Sequence, residues 1–126
     1  MATSQIGDVR VVAIPVTDQD AALRFYGETL GFTVQMDVPM PGGGRWVMVA
    51  PAGSGPGSAS VALVRATEDA PAGVETGIRF HAPDAESVHG ALHAAGVTVG
   101  ELLRWPRVPA MFQVTDPDGN RFEVIE

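Results

Sequence analysis

Residues 18–34, DQDAALRFYGETLGFTV, and residues 84–99, DAESVHGALHAAGVTV, are two copies of one pattern, and their repetition decides the fold. Each copy opens on an acidic residue, runs through an apolar helical body, stops at a glycine and closes on an aliphatic strand. One residue of indel separates the frames. In the first copy Thr17 or Asp18 suits the N-cap, and Gly31 falls where a helix end needs positive φ. Its inward stripe reads Ala22, Phe25, Tyr26 and Thr29, with Leu30 beside it. In the second, Asp84 follows Pro83 as the cap, Val88, Ala91, Leu92 and Ala95 form the buried stripe, and Gly96 ends the helix. Asp20, Arg24 and Glu28 lie at i, i+4 spacing on the outer side and read as a solvated ion-pair face.

Working outward, each helix follows a strand, residues 9–16 (VRVVAIPV) and 76–82 (TGIRFHA). Each is followed by two further strands beyond the repeat: residues 46–50 and 60–65 in the first half, 111–115 and 121–125 in the second. The order is βαβββ, twice, an α+β fold in which modules 9–66 and 75–126 make one domain spanning 1–126. Residues 38–45 (VPMPGGGR) and 51–59 (PAGSGPGSA) are dense in Pro, Gly and Ser and read as loops. The run DPDGN, residues 116–120, reads as a type I turn closing a hairpin, which needs no function to explain it. Residues 100–110 (GELLRWPRVPA) read as an irregular loop carrying Trp105, where an exposed indole suggests a contact.

Composition narrows the function. The chain has 126 residues, 15 acidic and 8 basic side chains and a formal charge of −7, which opposes binding to a phosphate backbone and welcomes a cationic small molecule. With no cysteine there is no disulfide framework, thiolate metal site or cysteine nucleophile, and a cytoplasmic protein is the simplest reading. The N-terminal run MATSQIGDVRVVAIPV lacks the layout of a signal peptide or membrane span. No phosphate loop, nucleophile elbow or dinucleotide fingerprint occurs. His89 and His93, an i, i+4 pair, fall on the flank of the second helix away from its apolar stripe and read as solvated rather than as a zinc site.

The stretches VVAIPVTDQDAALRFYGETLGF, residues 11–32, and DPDGNRFEVIE, residues 116–126, resemble the two most diagnostic stretches of the vicinal oxygen chelate superfamily, which includes glyoxalases, bleomycin-resistance proteins and extradiol dioxygenases. The resemblance covers nearly the whole chain and implies a half-open curved mixed sheet with the helices outside. In metal-dependent members, four strand positions facing the concave side supply ligands to one divalent ion. Carried over position by position, these fall on Val11, Gly77, Glu123 and Ala62. One potential ligand of four remains, and such sites need three or more. His81, two alternations beyond Gly77, would add only a second.

Without metal ligands the concave face becomes a small-molecule pocket. Strand alternation turns Val11, Ala13, Gly77, Arg79, His81, Arg121, Glu123 and Ile125 inward, with Arg79 and Glu123 as orienting polar groups. A bulged DPDGN turn sets Gln113 opposite Glu123, facing Met111 and Gln113 inward and Phe112 and Val114 to the helix side. Trp46 and Met48 share a face that is either cavity or core, and Trp105 is the aromatic best placed to stack on a planar ligand. The leading reading is a metal-independent protein that sequesters a drug or metabolite, planar or cationic, with no cofactor and no catalytic residue. Family analogy implies a homodimer. The alternative is a lyase, isomerase or dioxygenase using Glu123 with a divalent metal or as general base. A third reading is a scaffold whose cavity is filled by Phe80, Phe112 and Trp46.

Overall fold

The computed structural model describes residues 5–126. Its elements run β1 (Val11–Val16), α1 (Gln19–Leu23, continuing as a π-helix over Arg24–Thr29), β2 (Phe32–Pro39), β3 (Arg45–Pro51), β4 (Ser60–Arg65), β5 (Glu75–His81), α2 (Ala85–Ala94), β6 (Thr98–Val99), β7 (Leu103–Trp105), β8 (Val108–Thr115) and β9 (Arg121–Ile125). They build two mixed sheets, ordered β1-β4-β3-β2 and β5-β9-β8-β6, with β7 also pairing with β8. β1 runs parallel to β4 and β5 parallel to β9, and the other pairs are antiparallel. This is the anticipated α+β architecture of two βαβββ repeats, with no closed barrel among the described residues.

The helix caps follow the sequence. Asp18 accepts from the Asp20 and Ala21 amides, and Asp84 accepts from the Ser87 amide at 3.0 Å. At the end of α2, Gly96 N–H donates to His93 O and Val97 N–H to Leu92 O, both at 3.0 Å, the paired bonds of a Schellman stop. Gly31 and Gly96 take φ of 76° and 82°, as a helix-terminating glycine should.

The helix faces depart from the α-helical reading. The Leu30 N–H bonds back to Phe25 O at 3.0 Å, a five-residue step that widens the turn. Phe25 and Tyr26 then meet edge to face at 5.1 Å, Ala22 and Tyr26 are buried, and Thr29 is left exposed. Asp20 pairs not with Arg24 but with Arg45, at 2.8 Å, and Arg45 also holds Asp37 at 2.9 Å. In α2 only Ala85 and Leu92 are buried, whereas Ala91 and Ala95 are exposed. The stripe is rotated because His89, read as solvated, packs its ring edge on Phe112 at 4.9 Å and sets Nε2 2.8 Å from Gly100 O. His93 is exposed as expected.

Two segments read as irregular contain strand. β2 continues to Pro39 and β3 starts at Arg45, leaving only residues 40–44 as a connection. Residues 103–105 and the start of β8 form a hairpin in which Trp105 pairs with Val108. Trp105 therefore stands on a strand rather than a loop, and its 51% exposure is as anticipated. Alternation in neighbouring polar and apolar residues is absent there, so periodicity carried no strand signal.

A single buried cluster joins both halves, with Ile14, Val16, Tyr26, Val47, Val49 and Leu63 from the first and Leu92, Phe112, Val114, Phe122 and Val124 from the second. Polar groups fix the junction. Tyr26 Oη donates to Asp116 Oδ2 at 2.8 Å, and Thr17 donates through both its amide and hydroxyl to Asp118. Asn120, fully buried, donates to Pro15 O at 2.7 Å and accepts from the Gly73 and Val74 amides at 2.8 and 3.1 Å. The DPDGN turn is thus more than a local hairpin: its side chains latch one repeat to the other.

Candidate functional site

The face of each sheet turned away from this core is set by register. In the second half Arg79 pairs with Glu123, which pairs with Gln113, so three polar side chains form one row across β5, β9 and β8. The next row is His81, Ile125, Met111 and Leu103. The residues between them, Phe80, Phe122, Val124, Phe112 and Val114, pack on the core side. Gln113 stands opposite Glu123 with Phe112 and Val114 buried, as a bulged turn requires.

In the first half the corresponding row is Ala13, Ala62, Met48 and Met36. Trp46, paired with Val38, stands on the same side two residues from Met48, while Val47 and Val49 are buried in the core. The open choice for Trp46 and Met48 resolves to the coreless face. With Val11 matched to Gly77 and Ala62 to Glu123, the two repeats present equivalent rows of opposite character. One is apolar and rich in methionine. The other is Arg, Glu and Gln.

Among the described residues β1 has a neighbour only in β4, and β5 only in β9, so each leaves one edge open. Between these edges lies a cavity of about 950 Å³, lined by Ala13 on β1, Arg79 and His81 on β5, and Gly53, Ser54 and Ser58 from the connection between β3 and β4. Phe112 belongs to the core, and Phe80, packed edge-on against Phe122 at 5.1 Å, lines the cavity without filling it. Of the sequence-derived residues, Arg79 and His81 line the cavity itself. Glu123 touches Arg79, Gln113 and Met111 continue the wall beyond it, and Trp46, Met48 and Trp105 lie outside its lining. The serines and glycine of residues 53–58 carried only a turn signal, because nothing in a Gly-Ser-Pro run encodes which cavity it borders.

Glu123 is the chemically distinctive member. Its side chain is 29% exposed, yet Oε2 is buried and accepts no hydrogen bond. Arg79 Nε lies 3.3 Å from that oxygen, an ion pair whose angle does not make a hydrogen bond, while Arg79 Nη1 donates to Gly77 O at 3.0 Å. Gly77 holds φ of 73° within the irregularity of β5, a conformation that excludes most side chains. Arg121, one row away, gives Nη1 to Gly119 O at 3.1 Å and sets Nε 3.8 Å from Glu75.

The donor set does not fit a divalent ion. Val11, Ala62 and Gly77 offer no ligating side chain, Glu123 is flanked in register by Arg79 and Gln113, and no group of three or more His, Cys, Asp or Glu converges among the described residues. A single carboxylate is too few protein ligands to hold a divalent ion.

Comparison with known proteins agrees with this architecture. The sequence matches the Glyoxalase/Bleomycin resistance protein/Dioxygenase superfamily over residues 9–124, and the chain belongs to that superfamily. No curated protein sequence matches it. Among solved structures it is similar to TnmS3, an antibiotic binding protein from Streptomyces sp. CB03234, at 31% identity over 98% of each chain with a TM-score of 0.84. A glyoxalase/bleomycin resistance protein from the same organism is 31% identical over 95% of this chain and 100% of that one, with a TM-score of 0.81. A superfamily member from Sphaerobacter thermophilus DSM 20745 is 34% identical over 96% of this chain and 98% of that one, with a TM-score of 0.85. No helix among the described residues is long and apolar enough to cross a membrane.

Proposed function

We propose that this member of the glyoxalase and bleomycin-resistance superfamily binds and sequesters a small organic molecule without a metal ion and without changing it chemically. The observation that carries the reading is a cavity of about 950 Å³ lined by Arg79 and His81, with Glu123 and Gln113 continuing the Arg79 row beyond its lining. A concave space with few convergent polar groups is the general form of a small-molecule site. The likeness to an antibiotic binding protein at 31% identity supports the same class of activity. Trp105, half exposed on β7 and outside the cavity lining, is assigned to a planar ligand that extends past the cavity onto the second sheet.

A homodimer belongs to this reading. Met36 and Val38, 43% and 45% exposed, extend the apolar row of the first sheet into solvent, and a second copy would cover them. Light scattering that gives a monomer mass at micromolar concentration would remove this element.

The experiment for binding is calorimetry and tryptophan quenching against a panel of planar and cationic antibiotics, with elemental analysis of protein purified without chelators. Micromolar binding with metal far below one equivalent is expected. A stoichiometric bound metal, or no ligand bound in that range, would overturn the reading.

A further inference from the structure

We propose that the Glu123 carboxylate is the receptor for a cationic nitrogen on the bound molecule, and that Arg79 is the side chain that yields its place to it. This rests on the binding reading above and names the chemical class of ligand. A buried carboxylate oxygen without a hydrogen bond is costly, and Glu123 Oε2 is in that state. Arg79 neutralises it at 3.3 Å without an aligned bond, spending its Nη1 proton on Gly77 O of its own strand.

Arg79 is held only by a bond to a carbonyl of its own strand and by the unaligned ion pair. Its side chain is 55% exposed and lines the cavity, so its head can turn to solvent while its stem stays on the sheet face. Arg121 is committed to Gly119 O and Glu75 and does not compete. An amidinium or ammonium that enters from the cavity and takes the place of the Arg79 head would give Oε2 the aligned, charge-assisted bond it lacks, and Gln113 stands on the far side of Glu123 as a second polar partner. The formal charge of −7 favours a cation's approach. A ligand carboxylate would instead draw Arg79 away, leaving Oε2 unpaired beside a second negative charge.

The test is an NMR titration of the ¹⁵N-labelled full chain with benzamidine, benzyl alcohol and benzoate. Benzamidine is expected to bind about tenfold tighter than benzyl alcohol, and benzoate weakest. Glu123→Gln should bring benzamidine down to the level of benzyl alcohol, and Arg79→Met, which keeps the aliphatic stem, should strengthen benzamidine binding. The Arg79 arm reads the proposal without altering the carboxylate. Benzoate binding as well as benzamidine, an unchanged preference in Glu123→Gln, or weakened benzamidine in Arg79→Met would overturn it. If benzyl alcohol shifts the cleft resonances and charge makes no difference, the cation receptor falls while cleft binding stands. If no probe shifts them, both fall.

Discussion

The phenol of Tyr26 donates a 2.8 Å hydrogen bond to Asp116 Oδ2, tying the first repeat's helix to the second repeat's last turn across 90 positions of sequence. Tyr26 is fully buried, and its ring also lies 6.2 Å from that of Phe122. Tyr26→Phe keeps the ring packing and removes one bond to a carboxylate that still holds Asn120 Nδ2 at 3.0 Å. A loss of about 1–2 kcal/mol in urea unfolding, with unchanged m, is expected.

The same buried phenol sets the alkaline limit of the fold. Burial first, then the neighbouring Asp116 carboxylate, push Tyr26 far above its ordinary value of 10.0. A raised acid means the folded chain keeps a proton that the unfolded chain loses above pH 10. Stability is therefore complete below pH 10 and falls as pH rises, by about 1.4 kcal/mol per unit from this group. The chain has one tyrosine, so phenolate absorbance reports it alone. Ionisation should coincide with loss of far-ultraviolet circular dichroism. Phenolate appearing near pH 10 in folded protein would sink the prediction.

Asn120 uses its amide in both senses, donating to Pro15 O and Asp116 Oδ2 and accepting from two backbone amides. Asn120→Asp keeps the shape, removes both donors and sets a second carboxylate against Asp116. Destabilisation of about 3 kcal/mol at neutral pH is expected. The urea midpoint at pH 7 checks it.

Gly77→Ala meets no atom within 4 Å of the added Cβ, so its cost comes from φ of 73° alone. Roughly 1 kcal/mol of stability should be lost. Because Gly77 O anchors Arg79 Nη1, ligand affinity should change with it while Tyr26→Phe leaves affinity unaltered. Calorimetry on both variants separates the two effects.

Local chemistry made the repeats legible: Asp18, Asp84, Gly31 and Gly96 each act within a turn of where they sit, and the parity of residues 111–125 set Gln113 against Glu123. The π-helical step at Phe25–Leu30 was not legible, because the same apolar residues suit either helix. His89 was misplaced because its partners, Phe112 and Gly100, belong to later elements. Trp105 was assigned to a loop because Pro, Arg and Gly around it masked a three-residue strand. On the coreless face, sequence alternation placed Arg79, His81 and Glu123 together. It had no means of showing that Glu123 Oε2 would lack a hydrogen bond, since that depends on the angle at which an arginine approaches.

The latch of Thr17, Tyr26, Asp116, Asp118 and Asn120 shares no residue with the rows on the coreless faces of the sheets. Holding the halves together and setting the chemistry of those faces are therefore separable tasks. A lineage carrying this chain can exchange Met48, Arg79 or Gln113 while its architecture stays under independent selection.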